Sequence, residues 1–433
     1  MSRFKFLHGA DIHLDSPLRG LERYEGAPAD RIRGATRRAL ENLVDLALEE
    51  GVAFVLVAGD VFDGDWRDYN TGLFYAAQVG RLAARSIPVL QVKGNHDAES
   101  RVSHRLRTPS VHTFPAGKPD TVRFEDLQAA VHGRSFAERV ETANLAASYP
   151  PPVAGWFNIG VLHTSAEGVA GHDTAAPCSV RGLAGHGYDY WALGHIHQRT
   201  VLSRDPWIVF PGNLQGRHAR ETQDGGKGCT LVSVEDGRVT GVEHRALDTV
   251  RWARCTVDAT AAASATEAVD AALASLKALL RGMLPAAPGT EAPLVAARVV
   301  LQGPTDAHRA LLSDPARWAA ELRSRVLSEG LEEIWVEKVL FETTSPSGGG
   351  GPEASPLPLA DLESFLDRAG GDAAFLEELL SVNDLVKLRE VLPHELKTGE
   401  DPLDLSGPDL VTGRMEAIRQ TLLSRLSTEG GRE

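Results

Sequence analysis

A chain of 433 residues, 42% hydrophobic and 24% charged, holds enough sequence for two or three domains with a sizeable core. No run of about eighteen apolar residues occurs, which excludes a transmembrane helix, and the opening stretch reads as a strand entering a polar motif, not as a signal peptide. Three widely spaced cysteines, Cys178, Cys229 and Cys255, exclude a disulfide framework and a zinc–thiolate site, so the expectation is a soluble cytoplasmic protein with no membrane association.

The net charge of −14 is unevenly spread: from Pro346 to the end 17 acidic residues stand against 8 basic ones. The preceding 345 residues carry a net charge of only −5. DNA is therefore not excluded as a partner, but contact must come from a local basic patch.

In chain order, Phe4 to Leu7 reads as a short strand. Ala35 to Glu50, with Leu40, Leu43, Val44, Leu46, Ala47 and Leu48, reads as an amphipathic helix closed by Gly51. A buried strand follows at Phe54 to Ala58, a helix at Leu73 to Ala84 and a third strand at Ile87 to Val92. This βαβαβ rhythm points to an α/β domain with buried sheets. Further strands fall at Phe157 to Leu162, Tyr190 to Leu193 and Trp207 to Phe210. Two more flank Asp236-Gly237, a favoured hairpin turn, and the first domain, residues 1–247, closes there.

Residues 248–345 form a small α/β unit. Its pieces are a strand at Trp252 to Val257, a helix at Ala261 to Leu280, a strand at Leu294 to Leu301, a helix at Ala307 to Leu327 and a strand at Ile334 to Phe341. A flexible linker, 346–358, contains the run Gly348 to Gly351. Beyond it, residues 359–433 are an acidic helical region in which Met415, Ile418, Leu422 and Leu426 make a stripe at helical spacing.

The polar motifs sit at strand ends. Asp11-Ile12-His13 follows the first strand, Gly59-Asp60 the second, and Gly94-Asn95-His96-Asp97 the third. His163 ends the run Gly160-Val161-Leu162, and Gly194-His195-Ile196-His197 ends Tyr190 to Leu193. Ligands are expected where strands end on one edge of a sheet. Imidazole, carboxylate and amide oxygen without thiolate suit manganese, iron or zinc. In extended chain, Asp11 and His13, like His195 and His197, would point the same way. A lone Asp60 after Gly59 is the natural bridge between two ions. Alone, each piece reads as a turn or a solvated loop; their joint occurrence after buried strands points to a dinuclear site.

These motifs resemble the five-motif signature of the calcineurin-like metallophosphoesterases. Within that family the chain looks most like the SbcD-type DNA-repair exonucleases, YhaO-like branch, through His8 to Asp15, Gly59 to Asp63, Tyr190 to His197 and Pro211 to Arg217. The resemblance implies a four-layer αββα sandwich, a small α/β capping domain and a C-terminal helical tail. It also implies two divalent ions, Mn2+ in this branch. Asp11, His13, Asp60 and His197 would hold one ion; Asp60, Asn95, His163 and His195 would hold the other. His163 is preferred to His132, His172 and His186 because it directly ends an apolar strand. A metal-activated water would attack phosphorus, with His96 catalytic at the leaving oxygen. Asp97 is assigned beside it, as acceptor for the His96 ring, with a solvated loop carboxylate as the alternative.

Arg101, Arg105, Arg217 and His218 are the candidate substrate-binding residues, contacting backbone phosphates. No P-loop sequence occurs, so the resemblance implies a separate SMC-like or AAA-type ATPase subunit as partner, alongside DNA and a second copy of the chain. The expected activity is a metal-dependent DNA exonuclease acting in repair. The rival readings are a phosphatase or phosphodiesterase for small nucleotides on the same fold, and a non-catalytic scaffold.

Overall fold

The computed structural model describes residues 2–16, 27–63, 69–100, 108, 110–166, 175–283 and 292–346, with single positions at 375, 380, 382, 387 and 391. The linker beyond 346 and nearly all of the expected helical tail lie outside the described residues. The chain divides into two compact units, one of Met1–Arg254, Leu280–Ala297 and Glu333–Glu337, the other of Cys255–Leu279, Arg298–Glu332 and Lys338–Glu433.

The first unit is built on two six-stranded sheets. Strands β1 (Arg3–Gly9), β2 (Phe54–Ala58), β3 (Val89–Val92) and β4 (Val111–Thr113) run parallel to one another in the first sheet. The second sheet takes β5 (Asp120–Phe124), β6 (Ala129–Gly133), β7 (Phe157–His163), β8 (Tyr190–Gly194), β9 (Thr200–Arg204) and β10 (Trp207–Phe210). The chain then returns to the first sheet with β11 (Gly228–Glu235) and β12 (Arg238–Ala246). Asp236 and Gly237 both have positive φ, the backbone a two-residue hairpin turn needs. The strand orders are β12-β11-β1-β2-β3-β4 and β5-β6-β7-β8-β10-β9.

Strand alternation decides which side chains meet. Phe4 and Phe6 of β1, Phe54, Leu56 and Ala58 of β2, and Leu90 and Val92 of β3 enter the core between the sheets. They meet Phe157, Ile159 and Val161 of β7 with Tyr190 and Ala192 of β8. The opposite set, Leu7, Val55, Val57 and Val89, packs against helices α1 (Ala29–Glu50) and α2 (Tyr69–Ala83). On the far side, Leu162, Trp191, Leu193, Ile208 and Phe210 carry the fourth layer, which includes Leu145, Tyr188 and Leu183. The result is the αββα sandwich. A buried Leu or Phe in these layers contributes about 1.5–3 kcal/mol.

Helix α1 begins at Ala29, earlier than its apolar periodicity suggests, because Ile32 and Ala35 pack with Val250, Leu294 and Trp335. Strands β5, β6 and β9 lacked a distinctive apolar run and escape sequence reading. A third sheet, in the order β13-β14-β15, joins Val250–Asp258, Leu294–Pro304 and Ile334–Thr344. The stretch read as one helix from Ala307 to Leu327 is two, His308–Ser313 and Pro315–Ser328. Pro315 cannot continue the first, and Asp314 caps the second by accepting the Arg317 N–H at 3.0 Å.

Candidate metal centre

Strands β1, β2 and β3 lie side by side, so their carboxyl ends bring the Asp11, Asp60 and Asn95 segments together. Strands β7 and β8 of the facing sheet end at His163 and Gly194. The two sets are joined across the sheets: the His195 N–H donates to both Asp11 carboxylate oxygens at 3.1 and 3.0 Å, and the His163 ring bonds the Ala58 carbonyl at 2.9 Å. Two glycines make this approach feasible. A Cβ on Gly59 would lie 2.4 Å from His163 Nδ1, and one on Gly94 would lie 2.3 Å from Asp60 Oδ1.

The Asp11–His13 pair does not converge by strand alternation. Asp11, His13, Asp60 and His195 all have positive φ (51°, 44°, 54° and 104°), a conformation costly for residues with a Cβ. Backbone bonds hold it: Asp11 N–H to Gly59 O and His13 N–H to Asp60 O, both 3.0 Å. Such strain concentrates at functional sites, where surrounding structure over-determines it.

Three overlapping groups bring potential ligand atoms within 4.8 Å of one another: Asp11, His13 and His197; His13, Asp60 and His96; and Asp11, Asp60 and His163. Asp60 belongs to two of them, and Asn95 Oδ1 lies 2.9 Å from His163 Nε2. The His195 ring centroid lies 5.2 Å from that of His163. Protonation tests whether this set fits a cation. His13 is driven well below the usual imidazole range by burial first, then by Arg217 and His96, which favours the neutral ring; its buried Nδ1 has no hydrogen-bond partner among the described residues. His13 Nε2 and His197 Nε2 face each other at 3.2 Å. Burial opposes charge on His163, but Asp60, and behind it Asp11, raise its pKa to about 9. That imidazolium supplies, in the protein alone, positive charge beside two buried carboxylates. The donor set fits divalent metal, which would displace the proton.

Outer partners orient these rings. His163 spends Nδ1 on Ala58 O, His197 Nδ1 lies 2.7 Å from Glu221 Oε1, and His96 Nδ1 lies 2.8 Å from Asp63 Oδ1. Each arrangement leaves the other ring nitrogen facing the site. Asp63 also accepts the Ser16 hydroxyl at 2.6 Å. Glu221, half-buried, also accepts the Arg217 N–H at 2.7 Å and the Asn213 amide at 2.9 Å. Sequence reading did not assign roles to Asp63 and Glu221. Asp63 stood in the quoted Gly59 to Asp63 stretch; Glu221, 24 residues beyond His197, carried no spacing signal.

Asp97 does not serve the His96 ring. Residues 95–99 form a short helix, α3, on which consecutive side chains point about 100° apart. The buried Asp97 carboxylate accepts the N–H groups of Val61 (3.2 Å), Phe62 (2.9 Å) and Gly94 (3.2 Å). It is neither a solvated loop carboxylate nor the ring's acceptor; it ties the Asp60 loop to the Asn95 turn. Burial, with Asp60 adding to it, pushes its pKa up to about 6 despite those bonds.

Arg217 lies 17% exposed, with Nη1 3.6 Å from Asp63 Oδ2 and Nη2 3.4 Å from Glu221 Oε1. Its terminal nitrogens therefore face carboxylates. His218 is at the rim and its Nδ1 accepts the Arg220 N–H at 3.3 Å. Arg101 and Arg105 lie outside the described residues, as does His172. His132 bonds Asn158 and Thr121, and His186 bonds Pro150 O, so neither of these alternatives to His163 joins the cluster.

Residues 4–199 match the family model of the calcineurin-like phosphoesterases, and residues 252–344 match that of the middle domain of metallophosphoesterase YhaO. Metallophosphoesterase YhaO of Bacillus subtilis (strain 168) is 38% identical over 266 residues, covering 60% of this chain and 64% of its own length. The DNA double-strand break repair protein Mre11 of Saccharolobus solfataricus is 24% identical over 239 residues, covering 53% and 60%. The matched stretch is thus under two thirds of either relative. A dimetal phosphatase from Danio rerio aligns over 57% of this chain and 98% of its own with 14% identity and a TM-score of 0.36. Residues 4–199 are thus a calcineurin-like metallophosphoesterase region, and a YhaO-like middle domain follows it at residues 252–344.

Proposed function

We propose that this chain is a metal-dependent DNA exonuclease acting in repair with a separate SMC-like ATPase. In this reading two divalent ions, Mn2+ by preference, are held by Asp11, His13, Asp60 and His197 and by Asp60, Asn95, His163 and His195. The observation that carries it is Asp60, whose carboxylate belongs to two overlapping groups of potential ligands, one with His13 and the His96 ring and one with Asp11 and His163. The similarity to a DNA break repair protein and the YhaO-like middle domain support DNA over a small ester. The retained ligand groups weigh against a scaffold.

Bound divalent ions supply Lewis acidity at the phosphate and an ionisable water at neutral pH. The chain's own residues do the rest. Asp60 balances charge at the centre and accepts the His96 N–H at 2.9 Å, fixing the backbone of α3. His96 keeps its Nδ1 on Asp63, which leaves Nε2 to stabilise or protonate the departing oxygen. Burial opposes charge on that ring, but Asp60 and Asp63 outweigh it and raise its pKa, which favours the protonated form that a proton donor needs.

The test is full-length protein with manganese on end-labelled single- and double-stranded DNA, bis-p-nitrophenyl phosphate and mononucleotides. Mononucleotide release from DNA is expected. Hydrolysis of small esters alone would replace the exonuclease reading with the small-nucleotide one. His96→Ala should abolish hydrolysis, by about 10²-fold or more, with metal still bound; loss of metal would make His96 a ligand.

A further inference from the structure

Two imidazoles of the centre depend on carboxylates that sequence reading passed over, and one guanidinium lies between those carboxylates. His197 Nδ1 is held by Glu221 at 2.7 Å and His96 Nδ1 by Asp63 at 2.8 Å. Arg217 reaches both, with Nη2 3.4 Å from Glu221 Oε1 and Nη1 3.6 Å from Asp63 Oδ2. Its own N–H donates to Glu221 Oε2 at 2.7 Å, so Arg217 and Glu221 brace one another through backbone and side chain. The segment carrying them is pinned at its base. Buried Gln215 donates to Val250 O at 2.6 Å and accepts the N–H groups of Thr249 and Val250, while the Trp252 indole donates to Gly216 O at 3.0 Å.

We propose that Glu221 and Arg217 are positioning residues that hold the metal-facing His197 and the substrate-facing His96 as one unit. The proposal rests on the metallophosphoesterase reading above for which ring does what, but the linkage itself does not need metal. A carboxylate on the outer nitrogen of an imidazole fixes its tautomer and ring plane. A planar guanidinium is suited to span two carboxylates, because its fork presents donors in fixed directions; an ammonium offers only a point charge. Arg217 thereby acts through Glu221 and Asp63 instead of through a phosphate.

The full-length protein, Arg217→Ala, Arg217→Lys and Glu221→Gln would be compared in three measurements. These are calorimetric Mn2+ titration, steady-state hydrolysis of bis-p-nitrophenyl phosphate, and nitrogen-15 spectra of histidine-labelled metal-free protein. The substitutions should displace the His197 and His96 ring resonances without metal. They should weaken Mn2+ binding by about 10- to 100-fold and lower kcat while KM stays within about twofold. Arg217→Lys should not restore the loss, whereas free guanidinium added to Arg217→Ala should restore part of it. A rise in KM alone, with Mn2+ affinity and ring resonances unchanged, would overturn the proposal and make Arg217 a phosphate contact. If wild-type protein neither binds Mn2+ nor hydrolyses the ester while the resonances still move, the linkage stands and the metal reading falls.

Discussion

His163 is the residue whose ionisation should be most visible. Its pKa of about 9 in the folded chain exceeds the ordinary imidazole value of 6.5. Without metal its contribution to stability is full below pH 6.5 and is lost as pH rises through 9, since only the folded state keeps the proton in that window. A metal ion held by His163 would displace that proton, so Mn2+ affinity should increase with pH up to 9, by up to about tenfold per unit. Calorimetry in buffers of different ionisation enthalpy would count the released proton; a pH-independent affinity would remove His163 from the ligand set. Asp97 and Asp63 should separate cleanly. Asp97→Ala strips three buried N–H groups of their acceptor and should cost about 1–3 kcal/mol or more in denaturant unfolding. Asp63→Ala should act mainly on kcat. Adjacency in sequence suggests Asp97 as the partner of His96, but on a helix consecutive side chains point about 100° apart.

At the scale of elements, the inter-sheet layer holds the strand ends in register. Phe54 is fully buried and stacked on Phe6 (5.2 Å) and Phe124 (4.8 Å), so it links both sheets at the start of β2, the strand that leads to the Asp60 turn. Phe54→Ala should lower unfolding free energy by about 3–5 kcal/mol, measured by urea denaturation. A loss under about 1 kcal/mol would mean that the layer collapses around the gap. The strands that supply this layer were readable, because Phe54 to Ala58 and Tyr190 to Leu193 are continuous apolar runs with both faces covered. Asp120 to Phe124 was not readable: at the edge of its sheet it carries Asp120, Thr121 and Arg123 among its five residues, and its pairing with β6 decides its conformation. The division at Asp314-Pro315 was legible in principle, since proline after a capping aspartate opens a new helix.

For the whole molecule, sequence by itself determined the class of fold, and its motifs supplied Asp11, His13, Asp60, His96, His163 and His197, which the structure brings into overlapping potential ligand groups. Buried strands each ending in Asp, Asn or His leave few architectures, and the nitrogen and oxygen donors without thiolate restrict the ion. Charge alone did not decide the partner, because a net −14 concentrated beyond Pro346 says little about a local patch. Tertiary structure decided what pattern cannot encode. Left-handed backbone at Asp11, His13 and Asp60, not strand alternation, aims these candidate ligands. Cross-sheet bonds from His195 to Asp11 and from His163 to Ala58 close the centre. The outer shell, Asp63 for His96 and Glu221 for His197, comes from loops far apart in sequence. The reason is physical: periodicity reports which face of an element is buried, whereas a hydrogen-bonded partner is chosen by the three-dimensional approach of segments that share no period.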